Sequence, residues 1–372
     1  MKARTRLGSA LAIAAGALAA TGGAASAAGT GHALFVQTDN IAGNQIAVYD
    51  RAADGTLTAA ATYPTGGLGG ALSGSVVDHL ASQGSLTYDR ANGLLYAVNA
   101  GSNTISVFAV IGDRLALRQV LSSGGSFPVS VDAANGLVYV LNAEEGGSLQ
   151  GFRVSGGYLT PIPGSVRTLG LDPEASPQFT NTPGQVAFSP SGTQLIVTTK
   201  ANEDDIDVFR VNAAGRLSAS PTVNQQPGAV PFAVSFDQQG DLVAAEAGPN
   251  ALASFVLKED GTLAQLDTVA SGQQATCWLV PVGKRFYASS AGSASLSGFQ
   301  TEAHGQLLSL FSTTATDAGT VDAAAPDGRF LYVQAGAAGI VDEFAIGTQG
   351  ALSPIGSVTV PGAAGGEGIA AP

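Results

Sequence analysis

An acid and a histidine stand side by side once in this sequence, at Asp78-His79. A carboxylate beside an imidazole is the pairing a general base needs, since the acid orients the ring and stabilises its charged form. The other two histidines are His32, near the start, and His304, in a hairpin turn. His79 is therefore the candidate base. Glu246 closes the apolar stretch LVAAE, where a carboxylate is costly unless it is paired or used. Glu203-Asp204-Asp205 with Asp207 crowds carboxylates into one loop but lacks the spaced oxygen ladder of a calcium loop. No metal is expected there, and Glu144-Glu145 reads as a solvated loop. Cys277-Trp278 reads as a buried thiol packed near an indole. No Ser-His-Asp constellation, phosphate loop or HExxH motif is visible, and no cofactor is expected.

Positioning these residues falls to a signature that recurs seven times. The copies read IAVYDRAADGTL, ISVFAVIGDRL, LQGFRVSGGYL, IDVFRVNAAGRL, LASFVLKEDGTL, LSGFQTEAHGQL and VDEFAIGTQGAL. Their aromatics, Tyr49, Phe108, Phe152, Phe209, Phe255, Phe299 and Phe344, are separated by 59, 44, 57, 46, 44 and 45 residues. A period in the forties made of short alternating strands predicts a seven-bladed β-propeller of four-stranded antiparallel blades, an all-β fold. Gly-x-Leu, at Gly55, Gly157, Gly215, Gly261, Gly305 and Gly350, marks the third hairpin of six copies; Asp113 takes that place in the other. The first copy opens on a second strand, ALFVQTD. The last is followed by GGEGIAAP, which is like the first-strand segments PGQVAFSP and PFAVSFDQ. Glu367 to Pro372 should thus supply the inner strand of blade one, closing the ring without an open edge.

Lys2, Arg4 and Arg6, an Ala/Leu/Ile-rich run and Ala25-Ser26-Ala27 read as a secretory signal peptide over residues 1–27. A short linker, 28–32, and the propeller domain, 33–372, follow. Cleavage after Ala27 leaves 13 basic against 28 acidic residues, a net charge of −15. Such a surface repels nucleic acid and anionic membranes, and no later apolar run is long enough to span a bilayer. The mature protein is expected to be secreted and monomeric. With Cys277 as the one cysteine, no internal disulfide can form, so core and topology must hold the fold.

The two long spacings report insertions, about Thr65 to Gln83 and Pro161 to Thr182. Both emerge on the face where inner strands start, where long loops tend to carry function. Second strands end on that same face, at Thr38, Asn99, Asn142, Thr199 or Lys200, Glu246, Ser290 and Gln334. These side chains predict a polar ring at the channel mouth. They would either satisfy strand ends or hold a small ligand, with Glu246 as the one firm carboxylate.

From about residue 33 to 372 the sequence resembles the secreted branch of the lactonase family of seven-bladed propellers. That is the family of bacterial 6-phosphogluconolactonase and fungal carboxymuconate lactonizing enzyme. The segments that carry the resemblance are SQGSLTYDRANGLLYAVNAGSNTISVF, FPVSVD, LVYVLNA, PGQVAFSPSG, ATCW and DGRFLYV. The resemblance implies a Pro-His pair at the start of one inner strand and an Arg-His pair at another. It also implies a glutamate ending the strand that follows. Here those places read Pro128-Val129, Gly184-Gln185, and Thr199 or Lys200. Gln185 can donate a hydrogen bond but not take a proton, so lactone chemistry would need a site rebuilt around His79, Gln185 and Glu246. Three functions follow: a propeller that binds a small ligand or protein partner through Asn99, Asn142, Gln185 and Glu246, a divergent lactonase acting on a sugar or other lactone, or a surface-interaction protein without a pocket.

Overall fold

The computed structural model describes Met1 and residues 32–302, 307–309 and 313–372. The expected leader and most of the linker, like His304, lie outside the described residues. Seven antiparallel sheets follow one another along the chain, each built outward from an inner strand. Blade 2 shows the pattern, with strands Leu86–Asp89, Leu94–Asn99, Thr104–Ile111 and Arg114–Ser122. The inner strands of blades 3 to 7 are Pro128–Ala134, Gln185–Phe188, Pro231–Phe236, Thr276–Val282 and Thr320–Ala324. Among the described residues no helix is long and apolar enough to cross a membrane.

Blade 1 begins at its second strand, Ala33–Gln37, and receives its inner strand from the chain end. Ile369–Ala370 pairs antiparallel with it, placing Phe35 opposite Ala370 and Val36 opposite Ile369. The ring therefore closes within one sheet, as the first-strand likeness of GGEGIAAP predicts.

Apolar clusters join every neighbouring pair of blades. Phe35, Ile46 and Val48 of blade 1 pack on Leu95 and Phe108 of blade 2, and at the seam Tyr332 and Val341 pack on Leu34 and Tyr49. All seven signature aromatics are buried. In four blades the ladder to the outer strand shifts register at that aromatic, between Val48 and Tyr49, Val107 and Phe108, Ser254 and Phe255, and Glu343 and Phe344. Such bulges bend a strand and raise its twist, which suits a blade.

The Gly-x-Leu signature has a packing cause. The Tyr139 hydroxyl of blade 3 donates to the Gly215 carbonyl of blade 4 at 2.7 Å. Tyr287 of blade 6 does the same to Gly350 of blade 7 at 2.7 Å, and Tyr332 of blade 7 to Gly55 of blade 1 at 2.8 Å. Each glycine turns with φ near +76 to +92°, a region that favours glycine. A Cβ on Gly55 would lie 2.3 Å from the Phe330 ring. The repeated motif is thus a lock between blades.

Candidate functional site

The first insertion does not stand above the face; it fills the channel mouth. Between Pro64 and Leu86 the chain forms no strand, and its last residues bond to blades 1, 3, 4 and 6. Ser82 Oγ donates to the Val129 carbonyl of blade 3, and the Gln83 backbone N–H to the carbonyl of Gly184, just before blade 4. The Gln83 side chain mimics a strand, donating to the Leu279 carbonyl at 2.9 Å while accepting the Leu279 N–H at 2.8 Å in blade 6. The His79 N–H donates to the Gly365 carbonyl before the closing strand, and the Gly84 N–H to Glu367 Oε1. Apart from Leu279, at the centre of its strand, these groups lie at or just before inner-strand starts, so the loop takes partners an open channel would offer a ligand.

Four buried carboxyls gather here, Asp78 in the plug itself and Asp39, Asp322 and Glu367 around it. Burial pushes Asp39 up to about 8, Asp322 to about 7 and Asp78 to about 6, and raises Glu367 well above the usual range. Mutual repulsion adds to the effect. Backbone amides counter it in part: Asp39 accepts from the Glu367 N–H at 2.8 Å, and Asp78 from the N–H groups of Leu80 and Ser82 at 2.8 and 2.9 Å.

Beside the plug the two insertions roof a cavity of about 380 Å³ over blades 4, 5 and 6. Val76, Val77 and Phe179 come from the roof, while Phe232 and Trp278 come from the inner strands. The two aromatic rings meet edge to face, centroids 4.9 Å apart, and the indole Nε1 donates to the Ser82 carbonyl at 2.7 Å. Trp278 is thereby fixed in orientation. Cys277 is buried in the same wall, and burial pushes its thiol up to about 12, so it is inert.

Lys200 ties this roof down. It holds a left-handed backbone, φ 53°, and is 1 % exposed. Its ammonium donates to the Ala81 carbonyl at 2.6 Å in the first insertion. It also donates to the Phe179 carbonyl at 2.7 Å and Thr182 Oγ1 at 3.1 Å in the second. The Phe232 ring lies 5.3 Å away, close enough for a cation–π contact. Burial lowers the amine to about 7, against the opposing pull of Asp78. All three ammonium protons are engaged, so Lys200 acts first as a clamp.

The residues singled out from sequence have other surroundings. Asn99, Asn142, Gln185 and Glu246 are all buried, and none lines the cavity. Asn99 donates to Thr104 and Ser106 and accepts from Asn44. Asn142 donates weakly toward Ser123 and Ser148, and Gln185 accepts the Val234 N–H at 2.6 Å. These are strand-end contacts. Burial raises the Glu246 carboxyl to about 7. His79 is half-buried and lowered by burial, and its ring sits where a Cβ on Gly365 would be. Of the residues singled out from sequence, Asp78, Lys200, Cys277 and Trp278 line the cavity. The acidic loop is a brace in part, Asp204 accepting the N–H groups of Gly228 and Val230. Sequence offered Lys200 only as an alternative to Thr199 in the polar ring, and did not single out Phe232 or Asn250. The signal for Lys200 was present, a cation two residues after the buried strand Gln194–Thr198.

Over residues 69–365 the sequence matches the family described as Lactonase, 7-bladed beta-propeller. The chain belongs to this family. No curated protein matches it in sequence. Among solved structures, a periplasmic gluconolactonase of Pseudomonas aeruginosa superposes with a TM-score of 0.71 at 20% identity, covering 91% of this chain and 98% of that one. A candidate 6-phosphogluconolactonase of Bacteroides fragilis gives 0.71 at 18% identity, covering 93% and 99%. Virginiamycin B lyase of Staphylococcus aureus is more distant, at 0.55 and 11% identity over 79% and 90%. At these identities the likeness shows the shared propeller. In this lactonase-family chain, Val129 is wholly buried beneath Ser82, Thr199 braces Asp205, and Lys200 enters the cavity wall. Of the two positions onto which the resemblance would place a glutamate, Thr199 is a brace and Lys200 a clamped cation.

Proposed function

We propose that this chain is an exported lactonase-family propeller that holds a small molecule in the roofed cavity between blades 4, 5 and 6. The observation that carries the reading is the cavity itself: concave, largely apolar, with a fixed aromatic pair and a few polar groups, Asp78, Asn250 and Thr180. That combination is the usual make-up of a ligand site. The reading excludes 6-phosphogluconolactone as substrate. The positions where the resemblance implies histidine, arginine and glutamate hold none of them, and the cavity's one cation is bound to the protein's own acceptors. Incubation of mature protein with 6-phosphogluconolactone should match buffer and heat-treated controls. Saturable hydrolysis lost on heating would overturn this.

A second reading, divergent lactone hydrolysis, draws on Asp78 and Lys200. Both line the cavity, and both change protonation near neutrality, at about 6 and about 7. Paired groups of this kind mark many acid–base sites. Turnover of any lactone that Asp78→Asn abolishes without lowering the melting temperature would favour it.

A further inference from the structure

We propose that the ligand is a neutral, mainly hydrocarbon ring compound, such as an alkyl-substituted lactone, and not a sugar lactone or its phosphate. This rests on the reading of the cavity as the binding site and names what that site selects.

Three features of the walls argue for it. With the Phe232–Trp278 pair the lining includes Ala247, Ala291, Val230 and Ala81, side chains with no hydrogen bond to give. A polyhydroxylated ring placed there would bury hydroxyls without partners, at a cost well above that of leaving them in water. The charged groups also oppose an anion. Lys200 has its protons directed at two carbonyls and a hydroxyl, and Asp78 lies in the same wall. A phosphate would therefore meet a carboxyl without gaining a cation. Lastly, Val76 at the lip is 79% exposed, so the entrance is apolar as well. A volume of about 380 Å³ falls within the range that encloses a small organic molecule. The few polar groups suffice for one carbonyl or ring oxygen.

Trp278 is the chain's single tryptophan, so its emission reports this cavity alone. The test titrates the full-length exported chain with δ-decalactone, glucono-δ-lactone and 6-phosphogluconolactone, following emission and heat in parallel. The expected result is a saturable emission change with δ-decalactone and none with the two sugar lactones. Ala247→Leu fills the cavity and should weaken δ-decalactone at least tenfold. Ala291→Leu replaces it should the first variant melt early. A Trp278 response to the sugar lactones alone would overturn the ligand class and leave the site standing. Heat of binding with no change at Trp278, and no effect of either filling variant, would overturn the site itself. Silence with all three compounds in both measurements would overturn both.

Discussion

Lys200 is a buried cation whose protons all point at the two insertions, and its effect is that of a rivet. Lys200→Met keeps most of the volume and leaves the carbonyls of Ala81 and Phe179 without their donor. Unsatisfied buried acceptors typically cost about 1–3 kcal/mol, so the denaturation midpoint should fall by a corresponding amount. An unchanged midpoint would show that the roof does not depend on the clamp. The pH sign is also fixed. An amine held at about 7 in the fold and at its ordinary 10.5 when unfolded binds fewer protons in the native state between those values. Its contribution to stability therefore rises with pH across that window. Residue by residue, sequence could say that Asp78 is acidic and Trp278 buried. It could not say that they share a wall, because that depends on the path of two loops without a period.

Among the elements, the lock between blades is the most repetitive device. A tyrosine in the second strand of one blade bonds the hairpin glycine of the next, three times over. Tyr332→Phe removes the bond to Gly55 across the closure seam and should cost about 1 kcal/mol, close to the typical net worth of such a bond. Tyr139→Phe, away from the seam, should cost a similar amount, measured by denaturant unfolding of both variants. A seam variant several-fold costlier than the internal one would mean that closure is strained. This level of structure was legible in advance. The spacing of Tyr49 to Phe344 gave the blade count, and alternation in LLYAVN and its counterparts gave the strands. The purpose of Gly-x-Leu was not legible, since its partner lies in the neighbouring repeat. Nor was the fate of the polar ring, because strand ends look alike whether a ligand or the chain's own loop covers them. Asn99 and Asn142 face such a covering.

At the scale of the whole molecule, closure and the channel acids act together. Glu367 sits beside the closing strand and receives the Gly84 N–H, while its own N–H bonds Asp39. Removing residues from Gly365 onward deletes the inner strand of blade 1 and the partners of His79 and Gly84. Aggregation or a clear fall in melting temperature should follow; a truncated chain that melts like the full one would place the closure elsewhere. The acids set a pH trend. Asp39, Asp322 and Asp78 rise from an ordinary 3.8 to about 8, 7 and 6, so the native state holds more protons than the unfolded chain from about pH 4 upward. Stability from these groups is complete below about 4 and is lost as pH rises through 6 to 8. Melting temperature should be higher at pH 5 than at pH 8, by calorimetry, and Asp39→Asn should flatten the slope. A melting temperature that rises over that interval would contradict the assignment of protons to the channel.

The central claim is that the first insertion takes over the channel mouth and leaves the roofed cavity as the place for a ligand. The most direct measurement is a crystal structure of the protein with the strongest hit from a thermal-shift screen of small lactones and related ring compounds. The account predicts electron density for the compound against Trp278 and Phe232, under Val77 and Phe179, with residues 77–85 still in the channel. Density at the channel mouth against Asn99, Asn142, Gln185 and Glu246, with the plug displaced, would contradict it.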